Sequence, residues 1–157
     1  MNKNILQGIF FGVYSAVITD IGLIFGIYKG SHSKKSILAG LATVSLCDTL
    51  ADAYSLYISI KSENKDSSKN ASVAGISAAL CKFSITIIFI MLFFIFDIDN
   101  AIYFSVVYGS ILIVVSSTYL SYIRKENYTN TIKYFAFYVI ICILSYYIGF
   151  LVKMYIN

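Results

Sequence analysis

Ser36 to Glu63, SILAGLATVSLCDTLADAYSLYISIKSE, is an apolar run of helix length with two aspartates near its middle, Asp48 and Asp52. A carboxylate placed in hydrocarbon costs several kcal/mol, so one found there marks a functional position by default. Spacing by four residues puts both carboxylates on one helix face, about 6 Å apart and within reach of a single cation. Ser36, Gly40, Asp48 and Asp52 share this stripe, with Ser45, Thr49, Ser55 and Ser59 beside it. The run before it carries a third acid of the same kind, Asp20.

Composition sets the medium. Of 157 residues, 59% are hydrophobic and only 13% charged, and the mean hydropathy is +0.78, well outside the soluble average. The chain reads as an all-α polytopic membrane protein, an integral multi-pass protein of the cell membrane. Five apolar runs reach spanning length: Ile5 to Tyr28, Ser36 to Ile60, Val73 to Phe96, Ala101 to Ile123 and Thr131 to Tyr155. Each meets the requirement of about 20 residues for a bilayer. The connections KGSHSKK, KSENKDSSKN, DIDN and RKENYTN leave no room for a soluble domain, so residues 1–157 form one five-helix domain. No cleavable signal peptide is expected, because the first run is long enough to span, contains Asp20 and is not followed by a small-residue cleavage site.

Lysine and arginine exceed aspartate and glutamate, 12 to 8, and lie mainly between the apolar runs. They read as topology signals and contacts to membrane lipids, not as a nucleic-acid surface. One side carries Lys3, Lys61, Lys65, Lys69, Arg124, Lys125 and Lys133; the other carries Lys29, Lys34, Lys35 and Lys153 with the acids Asp97 and Asp99. This bias predicts a cytoplasmic N-terminus. Two glycosylation sequons, at Asn70 and Asn127, then face the cytoplasm, and modification of either would contradict the topology. Tyr103, Tyr119, Tyr122, Tyr134 and Tyr155 lie near run ends as interfacial anchors, whereas Tyr108, Tyr138, Tyr146 and Tyr147 lie deeper and need partners such as backbone carbonyls. Cys47, Cys81 and Cys142 fall inside apolar runs and read as small hydrophobes.

In the first run Gly8, Gly12, Ala16 and Asp20 recur every fourth residue, a stripe that brings Asp20 into a close helix contact. Gly22, Gly26 and Gly30 form a second series, read either as packing or as a gate beside Asp20. At about 1.5 Å per residue, Asp20, Asp48 and Asp52 lie about 12, 18 and 24 Å below the outer ends of their helices, a descending column. Lys82, in the stripe Ala74, Ala78, Lys82, Thr86 of the third run, falls at the middle of that column, where a buried ammonium needs an aspartate partner. Three acids and one base suit a cation or proton pathway better than a closed salt bridge. Carboxylates and hydroxyls favour hard or borderline divalent cations. Cys47 adjoins Asp48 but points about 100° away on the helix. His32 reads as a residue of an outer loop.

The segment Ser15 to Glu63 resembles the vacuolar iron transporter family. It is similar in having Asp20 followed closely by Gly22, small residues from Ala39 to Leu41, and the tail Tyr57, Ser59, Ser62, Glu63. The resemblance implies five membrane helices in a homodimer that exports Fe(II) or Mn(II) from the cytosol in exchange for protons. The metal is then substrate, with no permanently bound cofactor. Asp20 carries over as the pathway carboxylate; Asp48 and Asp52 join it as metal ligands, Lys82 competes for them, and Gly12, Gly22, Gly26 and Gly40 pack the helices or gate the path. Departures are the residue inserted in Asp20-Ile21-Gly22, Ser55-Leu56 in place of a Gly-Glu, Asp52 nearest the position of a pathway methionine, and only Lys61 to Ser72 where larger members carry metal-binding helices.

An enzyme is disfavoured. Asp48-xxx-Asp52 matches the end of the metal motif of CDP-alcohol phosphotransferases, but the earlier Asp-Gly and Ala-Arg are missing, as are a Gly-x-Gly-Asp and an intramembrane Ser-His pair. The alternative to a transporter is a non-transporting subunit or assembly factor whose aspartates pair with a partner helix.

Overall fold

A computed structural model describes residues 3–63, 68–125 and 129–156, and these form five helices: α1 (Lys3–Ser31), α2 (Lys34–Glu63), α3 (Ser68–Ile95), α4 (Ile98–Arg124) and α5 (Thr129–Ile156). All five are long and apolar enough to cross a membrane. Each overlaps one apolar run and extends past it into polar sequence. α3 starts at Ser68, five residues before the apolar run, and Ser72 bonds back to the Ser68 carbonyl within that added turn. Lys65 and the sequon residue Asn127 lie outside the described residues.

The helix ends have local causes. α1 stops at His32, whose φ of 49° is left-handed, and its N–H bonds to the Tyr28 carbonyl. α4 stops the same way at Lys125, with φ 54° and its N–H directed at the Ser121 and Tyr122 carbonyls. These are left-handed C-caps of the kind glycine usually supplies. Between α1 and α2 only His32 and Ser33 are non-helical, and between α3 and α4 only Phe96 and Asp97. Side chains tie these two turns together: Tyr28 donates to Asp99 at 2.8 Å, and Lys34 donates to the carbonyl of Phe96, just past the end of α3, at 2.9 Å.

α1 is the axis. The other four helices pack around it in chain order, α2 on α3, α3 on α4 and α4 on α5, and the ring is open between α5 and α2. The core lies along α1, from Val13, Ala16 and Val17 to Ile21 and Ile24, against Phe89 and Phe93 of α3, Ile113 of α4 and Tyr138 of α5. Polarity runs inside out relative to a soluble domain. Asp20, Lys82, Thr86, Ser105 and Ser117 are buried, whereas Leu46, Leu50, Phe94, Ile132 and Leu144 face outward. Such an exterior suits hydrocarbon, with the polar groups kept within the bundle.

Most buried hydroxyls are satisfied within their own helix: Ser105 donates to Ala101 at 2.7 Å and Ser117 to Ile113 at 2.5 Å. Tyr138, one of the deep tyrosines, donates instead across to the Val106 carbonyl at 3.1 Å. Gly109 makes that possible, since a Cβ there would sit 3.0 Å from the Tyr138 hydroxyl.

Candidate functional site

The small residues of α1 determine how near α3 comes. A Cβ on Gly8 would stand 2.3 Å from the Ala74 carbonyl oxygen, and one on Gly12 would stand 2.6 Å from that of Ala78. Neither backbone atom can swing aside, so α1 and α3 touch only because both positions are glycine. On α2 the corresponding contact is with α3, where Gly75 fits against the Ala53 carbonyl, 2.8 Å from where its Cβ would be. Gly40 rests on the flexible Leu23 and Ile27 side chains of α1. Close approach of three helices thus leaves Lys82 no exit to water, and its side chain is 1% exposed.

The Lys82 ammonium lies between α1 and α2. Its Nζ donates to Asp52 Oδ2 at 2.5 Å, to Asp48 Oδ2, and to Ser15 Oγ at 2.8 Å. Ser15 in turn donates to Asp52 Oδ2. An ammonium has three N–H groups, and here each has an acceptor. The sequence suggested one aspartate partner for Lys82, whereas the structure supplies two, because the four-residue spacing brings both carboxylates to the same point on α3. They differ from Lys82 in access: the Asp48 side chain is 36% exposed and that of Asp52 24%.

Asp20 occupies a separate station. It is fully buried, and its Oδ2 accepts from Thr86 Oγ1 at 2.7 Å, one helical turn along α3 from Lys82. Among the described residues its Oδ1 has no donor, and the buried Thr49 hydroxyl beside Asp48 has no hydrogen-bond partner. Among the described residues, no three His, Cys, Asp or Glu side chains are grouped as a metal ion would require. Asp20, Asp48 and Asp52 therefore make two stations rather than one three-carboxylate shell. Cys47 is exposed and Cys81 and Cys142 partly buried, all as free thiols. His32 lies against Tyr28 just past the C-terminal end of α1, with ring centroids 4.8 Å apart and planes tilted by 43°.

Sequence reasoning missed Ser15 as a member of the cluster. It follows Gly12 by three residues and so shares the face turned to α3, which is the only signal it carries. Ser15 also lines a cavity of about 420 Å³ between α1, α4 and α5, walled by Phe11, Tyr14, Ile18, Tyr134 and Tyr138. The glycines of the second series turn toward α5. Gly149 packs on Gly26, with only 2.4 Å between the Gly26 oxygen and the position a Gly149 Cβ would take, and Gly22 faces Ser145.

Comparison with family models, with curated proteins and with solved structures finds no match to this chain.

Proposed function

We propose that this chain is a multi-pass membrane transporter of divalent cations, Fe(II) or Mn(II) in the first instance, driven as proton-coupled efflux through a homodimer. The observation that carries the reading is the Lys82 ammonium seated on three oxygens, those of Asp48, Asp52 and Ser15. A site that holds one cation by carboxylate and hydroxyl oxygens offers the same donors to another, and such donors suit hard or borderline divalent metals. Lys82 is then a tethered stand-in for the cargo: metal arriving at the open side of Asp48 and Asp52 displaces the ammonium, and departure of the metal lets it return. Asp20, with one oxygen lacking a donor, is the second station, which a proton or the passing cation completes.

The test is metal-dependent flux into proteoliposomes that hold only this chain, across Mn(II), Fe(II), Mg(II) and Ca(II). Wild type should give saturable flux, and Asp20→Asn and Asp52→Asn should each lose most of it while remaining folded. Equal flux in wild type and both variants overturns the reading.

A second reading has one observation in its favour. Asp48 and Asp52 are partly exposed, and two acids share the one base Lys82, which leaves a formal excess of one carboxylate. A basic residue on a partner helix would neutralise it, making the chain a non-transporting subunit. That reading requires flux to appear only when the partner is added.

A further inference from the structure

We propose that the groove between α1 and α4 is a binding site for an anionic phospholipid, with the headgroup held by Lys3 and Arg124 and one acyl chain laid along the helices. Two cavities follow each other there. The outer one, about 550 Å³, is bounded by Lys3 and Gln7 of α1 and by Ile123 and Arg124 of α4. The inner one, about 220 Å³, is bounded by Ile9 and Val13 of α1 and by Leu112 and Val115 of α4. Leu6 and Phe10 line both, so the two are adjacent along one groove.

The polarity of this groove is graded along its length. Its mouth has two cations and an amide at the helix ends, where the headgroups of a bilayer lie. Its interior presents only apolar atoms to the cavity. Lys3, Leu6, Phe10 and Val13 repeat at helical spacing along one side of α1, and the ring of Tyr119 stands 6.1 Å from that of Phe10 across the groove. From Lys3 to Val13 is about 15 Å at the rise of an α-helix. That is half of a hydrocarbon core about 30 Å thick, the depth of one leaflet. Basic pockets between membrane helices select acidic headgroups by charge, and the apolar extension selects a lipid over a free phosphate. The proposal does not rest on the transport reading, since none of its residues belongs to the Lys82 cluster.

Native mass spectrometry of the full chain released from detergent tests it, with phosphatidylglycerol and phosphatidylcholine of identical acyl chains and with glycerol phosphate as the chain-free headgroup. Wild type should retain phosphatidylglycerol in preference to phosphatidylcholine and should not retain glycerol phosphate. Lys3→Gln with Arg124→Gln should abolish the preference. Lys61→Gln with Lys69→Gln, which removes the same charge from the same end of the bundle at α2 and α3, should preserve it. Val115→Trp, which fills the inner cavity without changing charge, should lower retention of both lipids. Equal retention of the two lipids by wild type, binding of glycerol phosphate as strong as that of the lipid, or loss of preference in the Lys61/Lys69 variant but not in the Lys3/Arg124 variant would each overturn the assignment. So would undiminished retention by Val115→Trp.

Discussion

α1 approaches α3 and α5 by the same means and to different ends. On the α3 side Gly8 and Gly12 let the backbones meet, and the stripe continues through Ala16 to a buried acid. On the α5 side Gly22 and Gly26 meet Ser145 and Gly149, and the charge that joins this contact is Lys29, which packs its Cβ on Gly149 and holds its ammonium over the Tyr146 ring at 4.7 Å. Glycine spacing therefore specifies closeness alone. What makes the α3 contact a candidate site is the set of ionised groups that closeness encloses, which must be paired or filled.

The largest blow to this contrast comes from Lys82→Met. It leaves Asp48 and Asp52 facing each other without their cation; removal of one partner from a fully buried pair costs about 3–5 kcal/mol, and the partial exposure of both carboxylates brings this case to the lower end, about 3 kcal/mol. Unfolding in mixed micelles should register a loss of that order, and adding Asp48→Asn and Asp52→Asn to the same chain should restore most of it. If the triple variant is no more stable than the single one, the charges are not what Lys82 is there to balance.

Next in size is a matched pair of glycine substitutions. Gly12→Ala and Gly149→Ala each push a methyl into a backbone carbonyl, and overpacking of this kind costs about 1–3 kcal/mol. Both variants should unfold earlier to a similar degree. Only Gly12→Ala should also reduce flux per folded molecule, because it shifts α1 and Ser15 against Lys82; equal reductions in both would erase the distinction between the two faces.

Asp20→Asn should change stability by less than about 1 kcal/mol, since the amide oxygen still accepts from Thr86 and an uncharged group is cheaper to bury. Its mark should be on flux, measured in the same liposomes. A variant that unfolds readily but transports normally would make Asp20 a packing residue.

The smallest expected effect is that of Gly26→Ala. A Cβ there meets nothing nearer than the Ser145 carbonyl at 4.0 Å, so the exchange should be neutral or add up to about 1 kcal/mol through helix propensity. Unchanged flux would leave Gly26 with no part in a gate, whereas a clear drop would show that helix bending at this position matters.

Five helices were legible because hydropathy alone separates apolar runs of spanning length from short polar connections. The helix ends were not, because α1 and α4 stop at left-handed His32 and Lys125 rather than at glycine, and no proline marks a boundary. The meeting of Lys82 with an aspartate followed from charge and depth, but its hold on both acids depends on the rotation of α2 against α3, which spacing within one helix does not encode. Ser15 was missed for a related reason. Ser77, Ser84 and Ser105 each bond a carbonyl of their own helix, and nothing in sequence separates them from a serine that reaches across to another. The order of four helices around α1 was equally out of reach, since it is decided by which apolar faces fit.

That order has a consequence for how the chain is made. Each helix after the first lies against α1 and against the one synthesised just before it, so the bundle winds up in the direction of translation. Ser15, Asp20, Asp48, Asp52, Lys82 and Thr86 all belong to α1, α2 and α3. The groups of the cluster are thus all encoded before Ile95, and the two last helices complete the bundle around α1 without adding an acid or a base to that cluster.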